Sequence, residues 1–203
     1  MSARRAELFE RLEPVWGLDE VGEPFDQVAE FGRVAPLVLD VGIGAGESLI
    51  AAATADSEID HIGADVHTPG IASVLERIES TGLTNVRVLH GDALVFVSRL
   101  PAGSLAGVRI YFPDPWPKER HRHRRITSAA NVDRFVELLG LGGTLHVATD
   151  ITEYADGTRT ICDAHPDLAG GMVARPEWRA VTRYERKGLA AGRTGIDLIY
   201  RRV

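Results

Sequence analysis

From Pro36 onward the chain alternates short apolar runs with helix-length segments, and this rhythm constrains the fold more than any other feature. The strand candidates are Leu37–Val41, His61–Val66, Val86–Leu89, Val108–Tyr111, Thr144–Ala148 and Ile196–Tyr200. Helices fit between them at Glu47–Ala55, Ile71–Glu79, Ala93–Leu100, Ala130–Leu139 and Thr152–Ala164. Short, continuously apolar strands separated by helices imply an α/β fold, a parallel sheet covered on both faces. Ligands of such sheets sit beyond the carboxyl ends of the strands, so chemistry is expected in the loops that follow them. Ahead of this region, Ser2–Pro14 reads as a short amphipathic helix with Leu8, Phe9 and Leu12 on one side, and Gly17–Pro24 as a loop. The expected organisation is an N-terminal helical extension over 1–35 and one domain over 36–203, large enough to bury a core without staples.

The first strand runs into Asp40-Val41-Gly42-Ile43-Gly44-Ala45-Gly46. Glycines let backbone turn sharply and approach a ligand closely at a helix N-terminus. The spacing is G-x-G-x-G, and Glu47 stands where a dinucleotide fingerprint needs its third glycine. An acid there sits badly against a pyrophosphate, whereas Asp40 suits an ammonium group. The second strand ends at Asp65, which can accept the hydroxyls of a ribose and fits a nicotinamide cofactor and S-adenosylmethionine (SAM) equally. The third ends in Gly91-Asp92, where an acid can take the exocyclic amine of adenine. The fifth ends at Asp150. Each aspartate could instead cap the helix behind it, the commoner role at such a junction. Acids at successive strand ends are harder to dismiss together.

The fourth strand end reads Phe112-Pro113-Asp114-Pro115-Trp116-Pro117 and continues KERHRHRR to Arg125. Each proline fixes φ and removes a donor, which excludes helix and ladder and predicts a stiff, extended loop presenting Asp114. Lys118, Arg120, Arg122, Arg124 and Arg125 follow against the single acid Glu119. The net charge of −6 argues against a polyanion partner only until it is divided. Residues 1–99 carry 17 acids and 7 Lys/Arg, net −10, while residues 100–203 carry 12 acids and 16 Lys/Arg, net +4. Such asymmetry suggests one face built for a polyanion. The single cysteine, Cys162, excludes an intrachain disulfide and is expected in the core. With no signal-like or membrane-spanning run, a cytoplasmic protein is expected.

The motifs GADVHTPG, HGDA, FPDPWPKERHRHRR, GGTLHVATD and TRYERKG, in this order, resemble the bacterial tRNA (guanine-N7-)-methyltransferases, the TrmB family. The resemblance spans roughly residues 30–203. It implies a class I SAM-dependent methyltransferase (Rossmann-like) fold, with a seven-stranded, mostly parallel sheet carrying one antiparallel strand near its end. It implies SAM as cofactor, no metal, and tRNA as partner, methylated on N7 of a variable-loop guanine. Carried across, it makes Asp40, Asp65, Asp92 and Asp114 the cofactor-side acids, around the turn of Gly42, Gly44 and Gly46, with Asp114 also catalytic. It sets Lys118, Asp150, Thr182, Arg183, Tyr184 and Glu185 against the substrate. Arg120, Arg122, Arg124 and Arg125 are expected on tRNA phosphates. Departures are Asp for the family's usual Glu at Asp40 and Asp65, and Gly192-Arg193-Thr194-Gly195-Ile196-Asp197-Leu198 near the C-terminus. A paralogue acting on another RNA guanine, or a non-catalytic RNA-binding relative, would share most of these features. No obligate protein partner is indicated, and oligomeric state is open.

Overall fold

A computed structural model describes residues 3–203, and its first helix, α1 (Ala3–Trp16), sets the pattern of the N-terminal half. Leu12 on α1 is almost wholly buried, in a cluster with Leu49, Ile50, Ile71, Val74 and Leu75. Exposed ion pairs Arg4–Glu76 and Arg11–Glu79 flank it. The apolar stripe seen in the sequence is thus packed; Ser2 lies outside the described residues. The chain divides into two units, up to Pro101 and from Ala102.

In the first unit α1 leads to β1 (Gly17–Leu18), α2 (Gln27–Phe31), β2 (Leu37–Val41), α3 (Glu47–Ala55), β3 (Asp60–Asp65), α4 (Thr68–Thr81), β4 (Val86–His90) and α5 (Ala93–Phe96). Its strands lie in the order β1-β4-β3-β2 and every pairing is parallel. The register sets Asp40 opposite Gly63 and Asp65 opposite His90, which aligns the carboxyl ends of these strands. α4 carries Pro69 in its first turn, where proline is tolerated, and stops at Gly82 in the left-handed conformation. A 3₁₀ turn, Val97–Arg99, ends what reads in sequence as one helix to Leu100.

The second unit holds β5 (Leu105–Tyr111), a 3₁₀ segment Glu119–Arg124, α6 (Ala129–Leu138), β6 (Leu139–Thr149), α7 (Thr152–Asp163), β7 (Leu168–Val173), α8 (Arg183–Ala190) and β8 (Ile196–Arg202). Its strand order is β5-β6-β8-β7. β5 and β6 are parallel, and β8 runs antiparallel to both neighbours, as expected of one reversed strand near the end.

The described residues contain eight strands, not seven. β1 is two residues long and lies inside the stretch read as a loop. β7, LAGGMV, carries no strand signal in the sequence either, because two adjacent glycines and mostly exposed side chains erase the apolar alternation. α8 is silent in the sequence for a related reason. It is polar nearly all round, and only Glu185 and Gly188 are buried.

Candidate active site

The turn after β2 is built on three left-handed glycines, Gly42 (φ 73), Gly44 (φ 55) and Gly46 (φ 72). Gly42 N and Ile43 N donate to Ala64 O at 2.8 and 3.2 Å. Gly44 N donates to Asp65 Oδ2 at 2.7 Å, and His67 N to Asp65 Oδ1 at 2.8 Å. Asp65 therefore stitches the glycine turn to the β3–α4 junction and keeps further lone pairs for a ligand. A Cβ on Gly70 would lie 2.3 Å from Gly44 O, and one on Gly46 2.3 Å from Val74 Cγ2. At Gly42 and Gly44 an added Cβ would meet nothing within 4 Å, so the turn is tight behind and open in front.

Asp40 is buried, with Oδ2 3.2 Å from His61 Nδ1. The other ring nitrogen of His61 is buried without a hydrogen-bond partner among the described residues. Asp92 is exposed and caps α5, Oδ1 accepting from Leu94 N at 2.8 Å. Its own N–H donates to Glu20 Oε1 at 2.5 Å. Glu20 was not singled out from sequence, since nothing in the segment between α1 and α2 marks it.

In the second unit the proline loop leaves β5 at Phe112, whose N–H donates to Ala148 O at 2.7 Å. Phe112 (φ 52) and Trp116 (φ 42) both adopt the left-handed conformation that bulky residues avoid. The loop is consequently kinked at each end of Pro113-Asp114-Pro115 and not extended. Arg125 explains how it is held: Nε donates to Pro115 O at 2.9 Å, Nη2 pairs with Glu153 at 2.9 Å, and the guanidinium faces the Tyr154 ring at 5.1 Å. Only 8% of Arg125 is exposed, so it clamps the loop and is withdrawn from the phosphate contacts expected of it. Glu153 is held below the usual carboxylate range by the Arg125 hydrogen bond.

Arg122 pairs with Glu119 and Glu153, and Arg124 lies over Trp116 at 5.0 Å. Both stay exposed, as do Lys118 and Arg120. The Asp114 side chain is exposed too, and among the described residues no hydrogen bond or ion pair engages it. Asp114 therefore does not brace its own loop.

Of the other residues expected against the substrate, Arg183 and Tyr184 are exposed, the Tyr184 ring packing on Phe112 at 5.3 Å. Thr182 caps α8, Oγ1 accepting from Glu185 N at 3.2 Å. Asp150 is paired with Arg193 at 2.7 Å, which raises the Arg193 pKa through that hydrogen bond. Glu185 is buried and binds Arg179 through both oxygens at 2.8 and 2.9 Å, so its carboxylate is not displayed to a substrate as the motif suggested. Arg179 also binds Asp197, which reaches His146 and through it Tyr111; Arg179 lies in no sequence motif, and the stretches that hold His146 and Asp197 gave no sign that these side chains meet.

A family model described as "Putative methyltransferase" matches residues 34–198. The tRNA (guanine-N(7)-)-methyltransferase of Streptomyces coelicolor is 42% identical over 210 residues, covering 100% of this chain and 78% of that protein. That of Aeromonas hydrophila is 42% identical over 200 residues, covering 96% of this chain and 84% of the other. Among solved structures, the 16S rRNA methyltransferase KamB matches with a TM-score of 0.65 at 15% identity, covering 90% of this chain and 96% of that one. An antibiotic-related methyltransferase matches with 0.63 at 15% identity, covering 91% and 98%. At such identities the likeness is one of fold.

Proposed function

Because the chain belongs to the tRNA (guanine-N7-)-methyltransferase family, we propose that it methylates N7 of a guanine in the tRNA variable loop, position 46 in tRNA convention, using SAM. Its fold is that of class I SAM-dependent methyltransferases. The observation that carries the catalytic assignment is the exposed, unengaged carboxylate of Asp114 on a loop clamped from behind by Arg125.

The first unit's residues fit the cofactor. The glycine turn is open at Gly42 and Gly44, and Asp65 and Asp92 offer carboxylate oxygens to hydroxyls and an amine. Asp40, held by His61, supplies negative charge near an ammonium group. When bound, SAM supplies an electrophilic methyl group on a positively charged sulfur. Guanine N7 has an in-plane lone pair and no proton at neutral pH, so the protein needs neither a general base nor a covalent intermediate. Asp114 orients the guanine and stabilises the positive charge that develops on its imidazole portion. Cys162, the residue a covalent route would use, is buried, with its thiol pushed up to about 12 by burial.

Lys118, Arg120, Arg122 and Arg124 bind tRNA phosphates, while Arg183 and Tyr184 contact the nucleoside side of the substrate. Asp150 and Glu185, already ion-paired, act by fixing neighbours. Among the described residues no helix is long and apolar enough to cross a membrane, and no acid, His and Cys cluster is arranged to hold a metal. A tRNA substrate fits a cytoplasmic setting. The test is digestion of tRNA after reaction with labelled SAM: label is expected in 7-methylguanosine, and label in any other nucleoside overturns the assignment.

A further inference from the structure

Arginine is almost never fully buried, because withdrawing its charge from water is costly unless partners compensate. Arg179, on the segment between β7 and α8, is the largest wholly buried side chain among the described residues, with 1% exposed. Its fork donates from Nη1 and Nη2 to the two oxygens of Glu185 at 2.9 and 2.8 Å, and from Nη2 to Asp197 Oδ2 at 3.0 Å. Nε lies 2.7 Å from Asp197 Oδ1, an ion-pair contact without hydrogen-bond alignment. Asp197 Oδ1 also accepts from His146 Nε2 at 2.7 Å, and the Tyr111 hydroxyl is 2.8 Å from His146 Nδ1. An ionised Asp197 can only accept, so His146 Nε2 carries a proton and neutral His146 Nδ1 accepts from the Tyr111 hydroxyl. The guanidinium also faces the rings of Tyr111 and Phe112, each at 5.6 Å.

These contacts converge on the root of the proline loop. Phe112 holds its unfavourable φ with its ring 5.6 Å from the Arg179 guanidinium and 5.3 Å from the Tyr184 ring. Gly195 leaves room for this: a Cβ there would lie 3.2 Å from Glu185 Oε1 and 3.6 Å from both Arg179 Nη2 and Phe112 Cζ. Through Glu185 the same guanidinium fixes the first turn of α8, which displays Arg183 and Tyr184.

We propose that Arg179 is a positioning residue, tying the Phe112–Pro117 loop to the start of α8 so that Asp114 and Tyr184 are held in one arrangement. The proposal rests on the methyl-transfer reading for its consequence in catalysis, though not for its consequence in the loop. A fixed constellation matters because displacement of a reacting group by about 1 Å can cost a hundredfold in rate. Lysine at this position keeps the charge and loses the planar fork that reaches Glu185 and Asp197 together.

The experiment compares Arg179→Lys with wild type by circular dichroism, SAM calorimetry, single-turnover methylation of tRNA and amide exchange over the peptide Tyr111–Lys118. The expected result is a folded protein with unchanged SAM affinity, single-turnover rate at saturating tRNA reduced by about ten- to a hundredfold, and faster exchange of the Phe112 amide. A merely structural ion pair would lower the melting temperature while leaving the rate per folded molecule and Phe112 exchange at wild-type values. That outcome overturns the proposal. Should Arg179→Lys fail to fold, Asp197→Asn, which weakens the fork from its other side, is judged by the same two readouts and the same overturning result. Wild-type protein that leaves tRNA unmethylated would count against the functional reading alone, since the exchange arm needs no substrate.

Discussion

In the proposed reaction Asp114 stabilises a developing purine cation through its negative charge, from a side chain that is exposed. Asp114→Asn separates charge from shape, because the amide retains size and one acceptor oxygen. Loss of one such electrostatic contact in a transition state is typically worth about 2.7–4 kcal/mol, a hundredfold to a thousandfold in rate. We expect the Asn variant to bind SAM as wild type does and to fall by about that factor in single-turnover methylation. A rate near wild type would remove Asp114 from the chemistry. The nearby cations divide by burial. Arg125 is buried against Pro115 O and Glu153, whereas Arg122, paired with Glu119 and Glu153, and Arg124, over Trp116, remain exposed.

At the scale of elements, the glycine turn depends on a glycine that lies outside it. Gly70, in the first turn of α4, lets the helix approach until an added Cβ would stand 2.3 Å from Gly44 O. That neighbour is backbone and cannot swing aside. Gly70→Ala should therefore push α4 from the turn, disturb the Gly44 N–Asp65 bond, and cost about 1–3 kcal/mol of stability as overpacking does. SAM affinity, measured on the folded fraction by calorimetry, should fall with it. Undiminished affinity would mean that the turn does not form the cofactor cradle. The 3₁₀ segment Glu119–Arg124 spreads its cations differently, since its buried face is absent and Arg120, Arg122 and Arg124 are all exposed. Replacing Arg122 and Arg124 by Ala should flatten the log–log dependence of tRNA affinity on salt by roughly one to two units. An unchanged slope would make the segment ordinary solvated surface.

For the molecule as a whole, the buried polar network ties stability to pH. Burial lowers the His146 pKa, outweighing the attraction of Asp197, so the folded chain holds this imidazole neutral. Its folded value lies below its unfolded value of about 6.5. Between the two the unfolded chain binds more protons, so stability rises with pH and is lost as pH falls below about 6.5. Asp197 opposes burial with hydrogen bonds from His146 and Arg179 that hold its pKa below the ordinary value. Its contribution is complete above about pH 3.9 and is lost only as pH falls through the lower folded value. The melting temperature should therefore begin to drop just below neutrality, long before carboxylates protonate. His146→Gln should flatten that first decline; a variant with the wild-type slope between about pH 7 and 5.5 would assign it elsewhere.

What the sequence determined by itself was what local rules write directly. Apolar runs of strand length, helices between them and acids at the strand ends encode the α/β fold and the positions of Asp40, Asp65, Asp92 and Asp114. Three left-handed glycines at alternate positions are legible because few other residues accept that backbone. Elements with weak local signals were not legible: the two-residue β1, the glycine-bearing edge strand β7 and the polar helix α8 exist because partners pair with them or cover one side. Tertiary structure alone decided which charges are exposed. Arg125 and Arg124 are sequence neighbours of equal charge, yet one is folded against Pro115 O and the other lies over Trp116 at the surface. Likewise Glu185 sits in a motif that suggests substrate contact, but Arg179 and Asp197 are separated from it by 6 and 12 positions, and only the fold brings the three together. A side chain's partners are set by long-range contacts, and local periodicity carries no record of them.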